Sequence, residues 1–451
     1  MDRDVVIVGA GVVGSAIARE LTRFDLEVTL LEAGPDVGAG TSKANTALLH
    51  TGFDAKPGTL ESRLVARGYE LLGEYAGRVG IPLERTGALL VAWVEEQRAE
   101  LPGIVERSRE NGYGAIREVD ADELYRREPH LGPGALGALE VPDEAIVCPF
   151  TTPLAFATEA VLAGCELRCS TPATGIERLS GGGFRVRTTA GEITARRVVN
   201  AAGLRSDEVD RMLGGHAFTV TPRRGELIVF DKLSRPLVRH VLLAVPTRIS
   251  KGVLVAPTVF GNVMVGPTAQ DVERKDDTSS TAEGLEHIWR EAARIVPELA
   301  GQEVTAVYVG LRAATEHTDF QIRFEDGYAC VGGIRSTGLS ASMAIAEHVR
   351  DGLELDLRPR GAEPELRMPN LGEATPRPFQ RQDLIERDPD YGRIVCFCER
   401  VTRGELRDAM ASPIPPVDLD GLRRRTRAHL GRCQGFCCGA NLTALLEGRD
   451  A

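Results

Sequence analysis

The sequence predicts a mixed α/β and α+β architecture: a large Rossmann-like domain, then a small cysteine-rich domain at the C-terminus. Three observations carry that expectation. Residues Asp4 to Gly14 are an apolar strand running into a G-x-G-x-x-G turn, and a helical segment, a second strand and an acidic residue follow in that order. Two later segments again read as strands ending in glycine turns. Five of the nine cysteines fall within the last 56 residues, as Cys396-Phe-Cys398 and Cys433-Gln-Gly-Phe-Cys437-Cys438.

The chain has 451 residues, and single cores stop growing near about 250–300 residues. One large domain with a small one appended is the simplest partition. Lys and Arg number 54 against 65 Asp and Glu, a net charge of -11, which offers no general attraction to nucleic acid or to anionic membranes. No run of about 18 apolar residues is present to span a bilayer. Met1-Asp2-Arg3-Asp4 leads straight into a strand, without the basic and apolar regions of a secretory leader, so a cytoplasmic location is expected. Cys148, Cys165, Cys169 and Cys330 stand singly among apolar residues, which suits reduced core thiols.

In the first unit, Ser15 to Arg23 has helical spacing and Glu27 to Leu31 is the second strand, ending at Glu32. Gly9, Gly11 and Gly14 let the backbone approach a pyrophosphate at the helix N-terminus, and Glu32 is placed for ribose hydroxyls. A glutamate there also repels a 2′-phosphate, which weighs against NADP. FAD and NAD both fit such a unit, so other segments must decide.

Val198-Val-Asn200-Ala-Ala-Gly203 reads as a strand ending in a tight turn, and Gly327 to Ser342 reads as strand, glycine turn and helix, the helix continuing to about Arg350. With the first unit, these segments resemble the D-amino-acid-oxidase-like FAD oxidoreductases over residues 1 to about 355. The resemblance implies FAD, held by Gly9, Gly11, Gly14, Glu32, Ser42, Asn45, Ala202, Gly203, Gly333, Ile334, Gly338, Leu339 and Ser340. It also implies an oxidoreductase domain over 1–356, whose FAD-binding parts (about 1–80, 145–220 and 326–356) interleave with an antiparallel-sheet substrate domain (about 81–144 and 221–325).

Within that family, Thr41 to Leu60 looks like the flavin-facing segment of glycerol-3-phosphate and L-2-hydroxyglutarate dehydrogenases, as do Pro222 to Glu226, Gly252 to Thr268 and Gly310 to Ala313. The tail separates the two branches. Cys396 to Thr402, with Gly431-Arg-Cys433-Gln-Gly, resembles the bacterioferritin-associated-ferredoxin-like 2Fe-2S module that ends the catalytic subunit of anaerobic-type glycerol-3-phosphate dehydrogenases. This implies oxidation of sn-glycerol 3-phosphate to dihydroxyacetone phosphate, electrons leaving through the cluster to a partner flavoprotein or membrane-linking subunit and ultimately to quinone. Attachment to the inner membrane face would come through that partner. Two features depart from the branch: the chain is shorter than such subunits, and Lys56-Pro-Gly-Thr-Leu60 looks closer to the hydroxyglutarate type. L-2-hydroxyglutarate, an amino acid or proline are the alternative substrates, and a non-catalytic electron-transfer subunit is the alternative role.

Flavin oxidation of a secondary alcohol that carries an anion needs a base for the hydroxyl proton and a cation to hold the anion in register. Arginine forks bind phosphate or carboxylate through two parallel hydrogen bonds, which nominates Arg312 and Arg335. His50, in Leu-Leu-His-Thr-Gly, is the candidate base, since imidazole titrates near about 6.5. Ordinary ion pairing, or space filling beside the flavin, is the plain alternative for these three. Arg224 and Glu226 are expected to build a strand end, and Lys251 is a weaker anion candidate.

Residues from about 357 to 390 are rich in proline and charge with little apolar periodicity, as a linker or surface strap is, and the small domain follows over 391–451. Its C-x-C and C-x4-C pairs supply four thiolates for an iron-sulfur cluster. By the resembled motif these are Cys396, Cys398, Cys433 and Cys438, with Cys437 spare. Zinc is the rival ligand, although this spacing is uncommon for it. Thr402, with Glu405 three positions on, starts a helix to about Ala411 with a capping box. The basic run Arg423 to Arg427 reads as a solvated face.

Overall fold

The computed structural model describes residues 2–245 and 252–448, so Lys251 lies outside the described residues. Two large sheets divide the chain. At the centre of the first, eight-stranded sheet is β1 (Arg3–Val8), which leads through a glycine turn into α1 (Val12–Leu21) and on to β2 (Val28–Leu31). β1 pairs in parallel with β2 on one side and with the end of the strand Gly191–Asn200 on the other. Glu166–Arg168 and Tyr328–Gly332 extend the parallel core in both directions. Val5, Val6 and Ile7 have no exposed surface, which is why β1 reads as an unbroken apolar run instead of an alternating one. At Gly14 a Cβ would lie 1.8 Å from the Gly9 carbonyl oxygen, so only glycine lets α1 pack this closely on the turn. The helix begins at Val12 and not at Ser15, because the glycine turn itself winds into its first turn.

The second sheet has nine strands, drawn from the separated stretches 88–141 and 221–314. It is antiparallel apart from the parallel pairing of Val241–Ala244 with Ala88–Ala92. Its longest pair, Thr221–Phe230 with Val304–Ala314, sets Arg223 opposite Arg312. A three-stranded sheet joins β3 (Leu48–Leu49) to Ala145–Val147 and Leu83–Glu84, with Leu49 in register with Ala145. The residues flanking that pair, His50 and Glu144, are thereby brought to the same end of the ladder.

Residues 357–377 form a strap over the large domain. Its backbone donates from Arg360 to Arg23, from Met368 to Val79 and from Glu373 to Val259, at 2.7–2.9 Å. The small domain that follows has its own core, which includes Val401, Leu406, Leu422 and Leu442. Its helix Arg403–Met410 starts with the expected capping box: Thr402 Oγ1 accepts from the Glu405 N–H, and Glu405 Oε2 accepts from the Thr402 N–H.

The basic run is not a solvated face. Arg424, Arg425 and Arg427 are buried, the first two against the equally buried Asp36 of the large domain. Arg427 lies 3.2 Å from a Glu399 oxygen and 4.0 Å from the centre of the Phe260 ring. Residue type suggested exposure, but partner charges from distant loops make the burial tolerable. Among the described residues, no helix is long and apolar enough to cross a membrane.

Candidate active site and cluster module

A cleft of about 1400 Å³ lies between the two large sheets, and residues of both line it. From the first come Gly11, Val12 and Val13 at the start of α1, and from the second come Gly225 and Arg312. Two helices present N-termini to it with no cap from their own N-cap residue: α1 at Gly11, where the Val12 N–H is instead taken by Ser42 Oγ, and the helix Gly338–Gly352 at Thr337. Uncapped first-turn N–H groups and the positive helix end suit anionic and electron-rich ligand groups. These features fit FAD, whose pyrophosphate and flavin pyrimidine edge call for such donors.

The sequence-predicted cofactor residues divide between the wall and its support. Gly11, Ser42, Asn45, Gly203, Ile334, Gly338 and Leu339 line the cleft. Gly9, Gly14, Glu32, Ala202, Gly333 and Ser340 stand off that lining. Ser42 Oγ accepts from the Val12 N–H at 2.9 Å. Asn45 holds its own loop, donating to the Ser42 carbonyl at 2.8 Å and accepting from the Ala47 N–H at 2.7 Å. Glu32 accepts from the Ala10 and Gly34 N–H groups, each at 2.8 Å, and a carboxylate so used keeps further lone pairs for ribose hydroxyls. Ser340 Oγ accepts from the His50 N–H at 2.9 Å and donates to the Leu48 carbonyl, so it fastens the helix Gly338–Gly352 to the segment that carries His50.

His50, Arg312 and Arg335 are all brought to the cleft. Arg312 donates to the Thr268 carbonyl at 3.3 Å, and among the described residues no carboxylate lies within ion-pair distance of it. Enclosure, and to a lesser degree the Arg223 guanidinium, push its pKa below the usual arginine value. Arg335 is engaged by the Thr318 carbonyl and lies 3.5 Å from a Glu61 oxygen. Arg224 and Glu226 serve structure: Arg224 pairs with Asp277 at 2.5 Å, while Glu226 accepts from Thr281 and Thr268 where the helix Ala282–Ile295 begins. Sequence reasoning missed Glu144, which is fully buried with one oxygen 3.0 Å from His50 Nδ1. Only its strand pairing with β3 reveals it.

In the small domain the thiols of Cys396 and Cys438 contact each other, as do those of Cys398 and Cys433. Cys396 and Cys438 are buried, whereas Cys437 is exposed and touches Cys433. Among the described residues no three or more His, Cys, Asp or Glu side chains are grouped to hold a metal ion. Two contacting thiol couples, contributed by two loops, do provide the donor set of a binuclear iron-sulfur cluster.

Residues 4–351 match the family model described as FAD dependent oxidoreductase. The chain belongs to that family. Residues 394–448 of this FAD dependent oxidoreductase match the BFD-like 2Fe-2S binding domain, so it carries both FAD and a 2Fe-2S module. A glycerol 3-phosphate dehydrogenase of Caloramator mitchellensis is 34% identical, over 98% of this chain and 93% of its own. A mitochondrial L-2-hydroxyglutarate dehydrogenase of Caenorhabditis elegans is 27% identical, over 69% of this chain and 81% of its own. The solved structure of L-alpha-glycerophosphate oxidase from Mycoplasma pneumoniae with FAD bound has a TM-score of 0.77 at 28% identity, covering 82% of this chain and 99% of that one. The fold class and both cofactors expected from the sequence therefore hold.

Proposed function

We propose that this FAD dependent oxidoreductase oxidises sn-glycerol 3-phosphate to dihydroxyacetone phosphate and passes the electrons through its 2Fe-2S module to a protein acceptor. Arg312 carries the reading. An enclosed guanidinium with no carboxylate partner among the described residues is a cation awaiting an anion, and its fork matches two phosphate oxygens. The 34% identical glycerol 3-phosphate dehydrogenase supports phosphate over carboxylate. When bound, FAD supplies the hydride acceptor and the cluster a one-electron outlet.

The chain's own residues do the rest. Arg312 holds the phosphate and so fixes the carbinol carbon. His50 takes the hydroxyl proton. Arg335, already engaged by Glu61 and the Thr318 carbonyl, shapes the wall beside them. Phe397 and Phe436 are 69% and 93% exposed on the loops that carry the cluster cysteines. Bare rings at an electron exit suit an acceptor protein that covers them, and any attachment to the inner membrane face would come through that protein.

Anaerobic mixing of the FAD-loaded chain with glycerol 3-phosphate is expected to bleach the flavin and then produce the paramagnetic signal of a reduced 2Fe-2S centre. Bleaching by L-2-hydroxyglutarate but not by glycerol 3-phosphate would overturn the substrate. Bleaching without any cluster signal would overturn the electron route.

A further inference from the structure

We propose that Arg223 reads the second negative charge of the substrate phosphate, so that the cleft selects a dianion over a singly charged group. The inference rests on the reading of Arg312 as the phosphate anchor. The two arginines stand directly across from each other on the neighbouring strands Thr221–Phe230 and Val304–Ala314, and both line the cleft. Side chains so placed share one face of a sheet, with Cβ atoms about 4.5–5.5 Å apart, and like charges there repel. The Arg223 charge is felt at Arg312, where it adds to the lowering of the guanidinium's pKa. A repulsion of this kind is relieved by an anion that meets both heads.

The row of charges continues on the other side of Arg223. Asp271 faces it in register, and the two carboxylate oxygens accept from Nε at 2.6 Å and from Nη2 at 3.1 Å. Nη1 is left without a partner among the described residues. The carboxylate therefore grips one edge of the guanidinium and fixes its plane, while the N–H groups of the other end stay available to a ligand. Arg223 also stands between the ligand and Asp271, whose charge would otherwise oppose a second negative charge. On the Arg312 side a glycine makes the room. A Cβ at Gly225 would lie 3.1 and 3.2 Å from Nη1 and Nη2 of Arg312, so that head rests over bare backbone two residues after Arg223, on the same face of the strand. A phosphate has three terminal oxygens. Two can meet the Arg312 fork and the third remains for Arg223, whereas a carboxylate held by the fork has none to spare.

Ethyl phosphate and ethyl sulfate test this, because they share a shape and differ in charge. At roughly pH 8 the phosphate monoester, whose second pKa is near about 6, is a dianion, and the sulfate ester is a monoanion. Neither carries a carbinol to oxidise, so both can be titrated calorimetrically into the FAD-loaded chain without turnover. Arg223 and Asp271 are 45% and 51% exposed, so replacing Arg223 should leave the fold intact. Wild type is expected to bind ethyl phosphate roughly 10-fold more tightly than ethyl sulfate, the size of effect that one extra unit charge has beside a partly exposed cation. Arg223→Gln should shrink the preference to within about 2-fold, and Arg223→Lys, which restores the charge, should recover most of it. A preference undiminished in Arg223→Gln, or absent from wild type, would overturn the proposal. Arg312→Ala should weaken the binding of both esters. If it leaves both unchanged, Arg312 is not the anchor and this proposal falls with that reading; if it weakens both while Arg223→Gln keeps the preference, the anchor stands and only the role of Arg223 is lost.

Discussion

Asp36 and Arg425 meet through two parallel hydrogen bonds, Nη1 to Oδ2 at 2.7 Å and Nη2 to Oδ1 at 2.8 Å, with both side chains buried. Arg424 adds a third contact to Oδ2 at 2.5 Å. Asp36 sits a few residues beyond Glu32, in the loop after β2, and Lys43 further along that loop pairs with Asp420 at 2.8 Å. The helix Leu419–Thr426 of the cluster module is thus fastened to the loop that supplies Ser42 to the cleft.

Replacing Asp36 with Ala leaves two buried guanidiniums facing each other without their shared carboxylate. Breaking a buried pair by removing one partner costs about 3–5 kcal/mol. Hydrogen exchange should rise over 419–427, and proteolysis between the domains should become easier, while the core around β1 stays protected. Unchanged exchange in that helix would show that apolar packing alone holds the module.

Acid should loosen the same junction. Burial raises the Asp420 pKa, but Lys43, Arg424 and Arg423 outweigh it and hold it down from the usual 3.8 to about 2. A carboxyl whose folded pKa lies below its unfolded one contributes stability above the unfolded value, and that contribution is lost as pH falls through the folded one. Melting temperature should therefore drop between roughly pH 4 and pH 2, and Asp420→Asn should flatten part of that drop. An identical slope in the variant would place the acid sensitivity elsewhere.

What the sequence made legible was local. The glycine turn between β1 and α1, the capping box at Thr402 and the flavin-facing segment around His50 each carry their reason within a few neighbouring residues. What it hid was paired across the chain. Glu144 is 93 residues from the Thr51 it bonds, and in sequence it is one more acid in a surface-like turn. Arg424 is 388 residues from Asp36, and without that partner a run of arginines can only be read as exposed. Burial of a charge becomes intelligible only once its counter-charge is located, and strand pairing and domain docking locate it.

Arg312 offers a test of charge against geometry. Arg312→Lys keeps a cation in the enclosure but loses the two-pronged fork, and Arg312→Ala loses both. Hydrogen bonds to charged groups contribute about 1.5–3 kcal/mol, so Arg312→Ala should lower kcat/KM for glycerol 3-phosphate by roughly 10–100-fold, chiefly through KM, with Arg312→Lys between it and wild type. Stopped-flow flavin reduction over a range of substrate concentrations separates the two constants. A normal KM in Arg312→Ala would move the anion site elsewhere in the cleft.

The cluster ligands can be separated by which thiols already meet. Cys438 is buried against Cys396, and the half-buried Cys398 touches the half-buried Cys433, whereas Cys437 points outward beside Cys433. At Gly431 a Cβ would lie 2.3 Å from that of Cys398, so the two cysteine loops approach as closely as the backbone allows. Because a cluster draws on four thiolates held in fixed places, Cys438→Ser should abolish its visible absorption and its paramagnetic signal after anaerobic reconstitution. Cys437→Ser should leave both intact, along with flavin content and the rate of flavin bleaching. The reverse outcome, loss in Cys437→Ser and retention in Cys438→Ser, would require the loop Cys433–Cys438 to turn over on cluster binding and would reassign the fourth ligand.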